Sequence, residues 1–476
     1  MQRIQSLING QAVTSDNGVI DKVYPATGEV IAQIEKADSA MLDDAVQKAA
    51  IAQTKWAKTS GQERSRILHK IAAALIDANE EVSRLEVRDV GKLYSEAVSG
   101  DVPSGAEAFE YFANLAATMT GTSHQWDGAI GYTKRVPLGV CAGIGAWNYP
   151  AQIACWKSAP ALATGNAFIL KPSEETPLVS QRIVEIMHEA GLPEGLMQIL
   201  HGDHEIGEAL CRHPGIAKIS LTGGIDTGRF IMKQSADSLK KVTLELGGKA
   251  PLLIFDDCDF ELAVQTALDA NFYTSGEVCS NATRVFIQSG IAPDIIAAMK
   301  ERAAAMRIGD PMAEDVQIGA IISATHQNHI LDYIKIGLDE GAELATGGKA
   351  VQPQGFENGF FIEPTIFTNC HDEMRIVREE IFGPVMSVLT FDNEAEAIAR
   401  ANDTAFGLGA GIITSDLSRA HRVADQLQAG NIWVNSYNLI PPDWPFGGSK
   451  QSGFGRESSA FAIEAYTEVK ATYIQL

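Results

Sequence analysis

From Arg135 onward, short apolar runs recur with helix-patterned segments between them, and this alternation constrains the fold more than any other feature of the chain. The runs are Val136–Ala146, Ala167–Leu170, Leu196–Leu200, Ala217–Leu221, Lys241–Leu244 and Pro251–Phe255. They are apolar on both faces and bounded by turn-forming residues, which predicts buried parallel strands joined by crossover helices. An α/β fold with a doubly wound parallel sheet follows. A second α/β series begins near Gly247 and continues through Arg284–Gln288, Val385–Phe391 and Gly409–Thr414. Ahead of both, after a short β-like entry, Ser39–Lys58, Gln62–Asn79 and Asp101–Met119 carry apolar residues at helical spacing. The final stretch, Ala465–Leu476, alternates like a strand; with the hairpin-like Tyr132–Arg135 it predicts pairing with another subunit. No internal repeat, low-complexity tract or Pro/Gly/Ser-rich linker interrupts the chain, so the units are expected to pack together.

At 476 residues the chain has room for about three units of roughly 150 residues each. Its 38 Lys and Arg against 60 Asp and Glu leave a formal charge of −22. Such a field repels phosphate backbones and anionic membranes, which excludes nucleic acid and membrane surfaces as partners but permits a local cationic pocket. The start, Met1–Gly10, has no apolar core after its arginine, and no segment reaches the roughly 18 apolar residues a bilayer span needs. The expectation is a cytoplasmic protein. Six cysteines, Cys141, Cys155, Cys211, Cys258, Cys279 and Cys370, form no CxxC pair and read as reduced thiols. Five of them suit inert packing.

The sixth, Cys279, lies among small and polar residues in Asn271–Arg284 (NFYTSGEVCSNATR), where Gly276 allows close backbone approach. A cysteine nucleophile needs room and nearby N–H donors, although most cysteines simply pack. Glu245, between Leu244 and Leu246 at a strand end, is either a desolvated general base or an edge residue facing water. Asn148, in Ala146-Trp147-Asn148-Tyr149-Pro150, can hold an oxyanion or cap the helix that follows. Lys171 and Glu174, in Lys171-Pro172-Ser173-Glu174, suit a phosphate or ribose, or form an ordinary surface pair. The GxGxxG fingerprint is absent, since Gly143-Ile144-Gly145 lacks a third glycine. The best phosphate-binding segment is Leu221–Gly228 (LTGGIDTG), a strand, a glycine turn and a helix start. It is not a P-loop, because Arg229-Phe230 follow Gly228.

In combination these pieces resemble the aldehyde dehydrogenase superfamily from end to end. The resemblance is carried by Trp147-Asn148, Lys171–Glu174, Thr222–Gly228, Glu245–Lys249, Gly276–Cys279, Glu379–Pro384 (EEIFGP) and Pro445–Gly455 (PFGGSKQSGFG), in that order. It implies a Rossmann-type NAD-binding domain over residues 1–115 and 138–246 and an α/β catalytic domain over 247–455. It also implies a small β oligomerisation arm over 116–137 and 456–476, building a homodimer or homotetramer. The implied reaction is irreversible NAD-dependent oxidation of an aldehyde to its acid. Cys279 forms the thiohemiacetal and thioester, Asn148 and the Cys279 N–H hold the oxyanion, Glu245 activates water, and Lys157 with Glu457 forms a proton relay or a structural ion pair. Implied cofactor contacts are Gly145, Ala146, Trp147, Lys171, Ser173, Glu174, Gly202, Gly223, Gly224, Thr227, Gly247, Glu380 and Phe382. The carboxylate of Glu174 favours NAD over NADP.

Within that family, Pro137–Ala159 and Asn271–Arg284 look most like the branch that oxidises betaine aldehyde to glycine betaine. Tyr149, Trp156, Tyr273, Trp444 and Phe446 are then expected to cage a trimethylammonium group, which offers no hydrogen-bond donor. Asn435–Trp444 (NSYNLIPPDW) departs from the branch pattern, so 4-trimethylaminobutyraldehyde or another ω-aminoaldehyde is the alternative substrate. The branch also implies a potassium site at Val23 and Asp89. A catalytically silent relative would not need Cys279, Glu245 and Asn148 together. A cysteine hydrolase lacks a matching His motif near Cys279.

Overall fold

A computed structural model describes residues 2–476. Five parallel strands, in spatial order 241–245, 218–222, 140–144, 167–171 and 197–199, form the centre of the first sheet. Their side chains are buried on both faces: Cys141, Ala142, Phe168 and Ile169 are all fully enclosed, as a sheet sandwiched between helices requires. Strand 140–144 has 167–171 on one side and 218–222 on the other, so the winding direction reverses there. In an open α/β sheet such a reversal leaves a crevice beyond the carboxyl ends of the strands, where ligands bind.

The second sheet runs in the order 343–346, 365–368, 385–391, 284–288, 251–254, 409–413, 431–434, and is parallel except at its 343–346 edge. A third sheet of 467–475, 129–137 and 123–126 stands apart, and residues 2–4, 29–35 and 19–24 form a fourth. Helix Gly61–Asp77 starts at Ser60, whose side chain accepts from the Glu63 amide. Helix Val102–Thr118 packs against it and against helix Pro150–Ala163. Gly105 lets the last two approach, since a Cβ there would lie 2.9 Å from the Cys155 sulfur.

Several expectations are corrected. Val136–Ala146 is two strands, because Gly139 turns at φ +126° between 129–137 and 140–144, which enter different sheets. Helix 102–118 runs through the expected boundary at 115. Residues 453–454 pair antiparallel with Leu244 and Glu245, so the segment 247–455 does not end in its own sheet. The strand expected at 465–476 is seen at 467–475; it pairs with 129–137 along nine residue pairs and leaves its other edge open. Among the described residues, no helix is long and apolar enough to cross a membrane.

Candidate active site

Glu245 ends strand 241–245 of the first sheet and Cys279 lies in the loop before strand 284–288 of the second; both line one cavity of about 320 Å³ with Asn148, Lys157, Thr222 and Glu457. Cys279 follows the short turn 273–276, where Thr274 and Ser275 hold φ of 48° and 50°. Left-handed backbone at a β-branched residue costs about 1–3 kcal/mol and persists only where neighbours impose it. Here the Thr274 amide donates to the buried Glu96 carboxylate at 2.9 Å, and its hydroxyl meets the Tyr149 hydroxyl at 2.9 Å. Gly276, at φ +78°, passes against Gly383, where a Cβ would stand 2.2 Å from a backbone carbon. The strained turn thereby fixes the cysteine against the 380–384 loop.

Burial pushes the Cys279 thiol up to about 12, and the carboxylates of Glu380 and Glu245 add to the rise. The backbone N–H groups of Cys279 and Ser280 act in the opposite direction. The unliganded site therefore rests as a thiol. Alkylation of Cys279 by iodoacetamide, followed by peptide mass spectrometry, is expected to accelerate about tenfold per unit between roughly pH 7 and pH 10. A plateau near neutrality would contradict this assignment.

Glu245 is 5 % exposed, and both carboxylate oxygens lack a hydrogen-bond partner. Its proton is held well above the usual carboxylate range, first by burial and then by Glu457. The reading of Glu245 as a water-facing edge residue is therefore set aside. Gly447 makes room for it, since a Cβ at this φ +154° residue would lie 2.7 Å from Glu245 Oε1. The Asn148 side chain does not cap helix 150–163. It is buried and its Nδ2 donates to the Glu277 carbonyl at 3.0 Å, two residues before the sulfur. An amide nitrogen carries two hydrogens, so one remains for an oxyanion. Lys157 Nζ and Ser220 Oγ both donate to Glu457 Oε1 at 2.8 Å, and Glu457 Oε2 is unpartnered in the interior.

The cofactor-side residues gather at the crevice. Gly145, Ala146 and Trp147 follow strand 140–144; Lys171 ends strand 167–171, and Ser173 and Glu174 follow it. Gly223, Gly224 and Thr227 follow strand 218–222, and Gly202 comes just after 197–199. Lys171 and Glu174 pair at 2.9 Å. No side chain caps helix Ile225–Ser235, and added atoms at Gly224 would meet nothing within 4 Å. Open N–H groups at a helix start suit a pyrophosphate. Glu380 accepts the Gly248 amide at 2.7 Å and fills the space beside Gly247. Burial lifts it to about 7. These residues fit a dinucleotide. Sequence reasoning missed His326, whose Nε2 donates to the Phe382 carbonyl at 2.7 Å and so steadies that φ +61° residue. No local pattern marks His326, because its partner is 56 residues away.

Of the expected aromatic cage, Tyr149, Trp156, Tyr273 and Phe446 line the cavity. Trp156 and Phe446 meet edge to face at 5.8 Å. Trp444 does not join them: it is 56 % exposed, and the 435–444 loop turns it outward, bringing Asn438 and Ile440 to the wall. Trp433 Nε1 fixes that loop through the Leu439 carbonyl at 2.9 Å. One face of Tyr149 is covered by Lys92 Nζ, 3.8 Å from the ring centre. Lys92 is itself paired with Asp101, which with Glu107 also lines the cavity. At the expected potassium site, Asp89 is fully buried, while Val23 sits in strand 19–24.

A thiol, a partnerless buried carboxylate and a side-chain amide stand together beside a crevice that fits a dinucleotide, the arrangement an oxidoreductase working through a covalent cysteine would need. Known proteins agree. A family model described as "Aldehyde dehydrogenase family" matches residues 12–472. The betaine aldehyde dehydrogenase of Rhizobium etli strain CIAT 652 is 52 % identical over 469 residues, covering 98 % of this chain and 96 % of its own. Betaine aldehyde dehydrogenase 1 of Rhizobium meliloti is 51 % identical over the same shares. An aldehyde dehydrogenase of Bacillus cereus solved with NAD+ superposes with a TM-score of 0.97 at 37 % identity, covering 100 % of this chain and 97 % of its own. The betaine aldehyde dehydrogenase of Staphylococcus aureus, in complex with NAD+, gives 0.96 at 36 %, covering 99 % and 95 %. The chain belongs to the aldehyde dehydrogenase family.

Proposed function

We propose that this protein oxidises betaine aldehyde to glycine betaine with NAD, through an acyl intermediate on Cys279. The observation that carries the reading is a single cavity in which Cys279, Glu245 and Asn148 share walls with four aromatic rings and the carboxylates of Asp101, Glu107 and Glu457. The Cys279 thiol gives its proton to solvent in the cavity, its sulfur bonds to the aldehyde carbon as the C=O π bond opens, and the oxygen becomes an anion held by the Asn148 amide and the Cys279 N–H. NAD, when bound, accepts the hydride that the collapsing adduct releases. Glu245 then takes a proton from water as it attacks the thioester, and the C–S bond breaks to release the acid and return the Cys279 thiolate. Glu457, linked to Lys157 and Ser220, offers a buried route by which that proton leaves. The product ionises at neutral pH, which opposes the reverse reaction.

Replacing Asn148 by alanine is expected to lower kcat about 100- to 1000-fold, the usual effect of losing one oxyanion donor, with thermal stability little changed. An undiminished kcat would assign the oxyanion to other groups.

A trimethylammonium group accepts no hydrogen bond and donates none, so aromatic faces worth roughly 0.5–2 kcal/mol each must recognise it. The Asp101 and Glu107 carboxylates add negative potential, and they also favour the second reading, an ω-aminoaldehyde whose primary ammonium can donate to them. The deciding experiment is steady-state kinetics over betaine aldehyde, its uncharged tert-butyl isostere, 4-trimethylaminobutyraldehyde and aminobutyraldehyde, with NAD and with NADP. The expected result is a kcat/KM for betaine aldehyde at least about tenfold above the isostere, with NAD preferred because Glu174 repels a 2′-phosphate. Equal efficiency for the isostere would remove the cage. A preference for aminobutyraldehyde would move the substrate to the second reading.

The open edge of strand 467–475, with Val469, Tyr473 and Ile474 exposed, suits self-association into a homo-oligomer. Six unpaired thiols suit a reducing compartment such as the cytoplasm.

A further inference from the structure

Strand 19–24 runs antiparallel to 29–35, and the ladder slips by one residue between Lys22 and Val23. Such a bulge re-aims the adjoining side chain, and Lys22 is left 1 % exposed. Its Nζ donates to the backbone carbonyl of Asp89 at 2.7 Å, in the last turn of helix Asn79–Val90. Carbonyls at that end of a helix carry the negative pole of its dipole. The Asp89 side chain is fully buried as well. One of its oxygens accepts the Val179 amide at 2.8 Å, in the first turn of helix Pro177–Glu189, and the other has no hydrogen-bond partner. Burial works against the Lys22 charge, and the nearby Asp89 and Glu175 carboxylates favour it. A helix-end carbonyl within hydrogen-bond reach, with two acids nearby, makes an oxygen-rich surrounding of the kind a hard cation takes.

That surrounding already contains a cation. An ammonium group and a potassium ion carry equal charge and are close in size, so the residues here do not fit a separate metal ion at Val23 and Asp89. We infer that Lys22 supplies from within the chain the monovalent cation expected at this place. It ties the N-terminal sheet to the end of helix 79–90, whose Asp89 side chain in turn holds the start of helix 177–189. The turn bearing Lys171 and Glu174 leads directly into that second helix, so the tethered charge also positions the cofactor side of the crevice. Lys22 is thus a positioning residue.

Thermal unfolding of the purified protein, at constant ionic strength in KCl, NaCl or choline chloride, tests this. The wild-type Tm is expected to show no saturable rise with potassium. Lys22→Ala, which vacates the site, should lose several degrees in choline chloride and recover most of the loss in KCl, with the KM for NAD rising and recovering in parallel. Lys22→Met keeps the stem and removes the charge, so it should lose stability that KCl does not restore. Potassium-specific stabilisation of the wild type would overturn the inference. So would indifference of a folded Lys22→Ala protein to the cation present, or wild-type stability of Lys22→Met. Should Lys22→Ala fail to fold, the wild-type titration and Lys22→Met still decide.

Discussion

Replacing Cys279 by alanine is expected to reduce turnover by about 10⁴-fold or more, the scale seen when a covalent nucleophile is deleted from a preorganised site. The fold should tolerate the change. Cys279 is only partly buried at a cavity wall, and the turn before it is held by Glu96 and Tyr149 rather than by the sulfur. Quench-flow with mass spectrometry should find an acyl adduct on Cys279 in the wild type and none in the variant. Substantial turnover by Cys279→Ala, with an unchanged far-UV spectrum, would remove covalent catalysis from this site.

Glu245→Gln separates the two halves of the reaction. Its steady-state rate is expected to fall roughly 10²- to 10⁴-fold, the range of a lost general base. The first turnover should still release about one NADH per active site, and the thioester should accumulate. A loss of the burst together with the steady state would place Glu245 in thiol activation instead. The pH behaviour follows from burial. Because the folded protein holds the Glu245 proton far above its ordinary 4.5, the base form grows as pH rises, and the wild-type rate climbs with it. Glu245→Gln should flatten that limb. Stability moves the other way. In the pH range above 4.5 the folded state binds this proton more tightly than the unfolded state does, so the contribution is full at low pH and is lost as pH rises. Glu245→Gln should therefore unfold at a higher temperature than the wild type in alkaline buffer, a gain in stability at the cost of activity.

Much of this was legible along the chain. The strands at 167–171, 218–222, 241–245, 284–288, 385–391 and 409–413 lie within a residue of the apolar runs that announced them, because a strand buried on both faces has to be apolar throughout. The motif residues could be named because glycine turns at strand ends leave local signatures. What stayed hidden were features with no local period. The run from Val136 to Ala146 conceals a change of sheet at Gly139. Helix 79–90 was not foreseen, being a strongly polar segment whose buried residues include Glu86 and Asp89. The outward turn of Trp444 belongs to a loop held by hydrogen bonds from Trp433 to the Leu439 carbonyl and from the Trp444 amide to the Pro441 carbonyl, which no local period announces.

Sequence by itself determined the α/β class, the family and the identity of the sulfur, acid and amide, since each rests on residue type and spacing along the backbone. Only the tertiary structure decided the charge states and the company those groups keep. Glu245 became a buried carboxylate when the Gly447 loop closed over it, and Cys279 a resting thiol through burial beside Glu380 and Glu245. Lys22 found Asp89 across 67 residues. Desolvation and Coulomb energy depend on distances through space, and these exist only once the chain has folded.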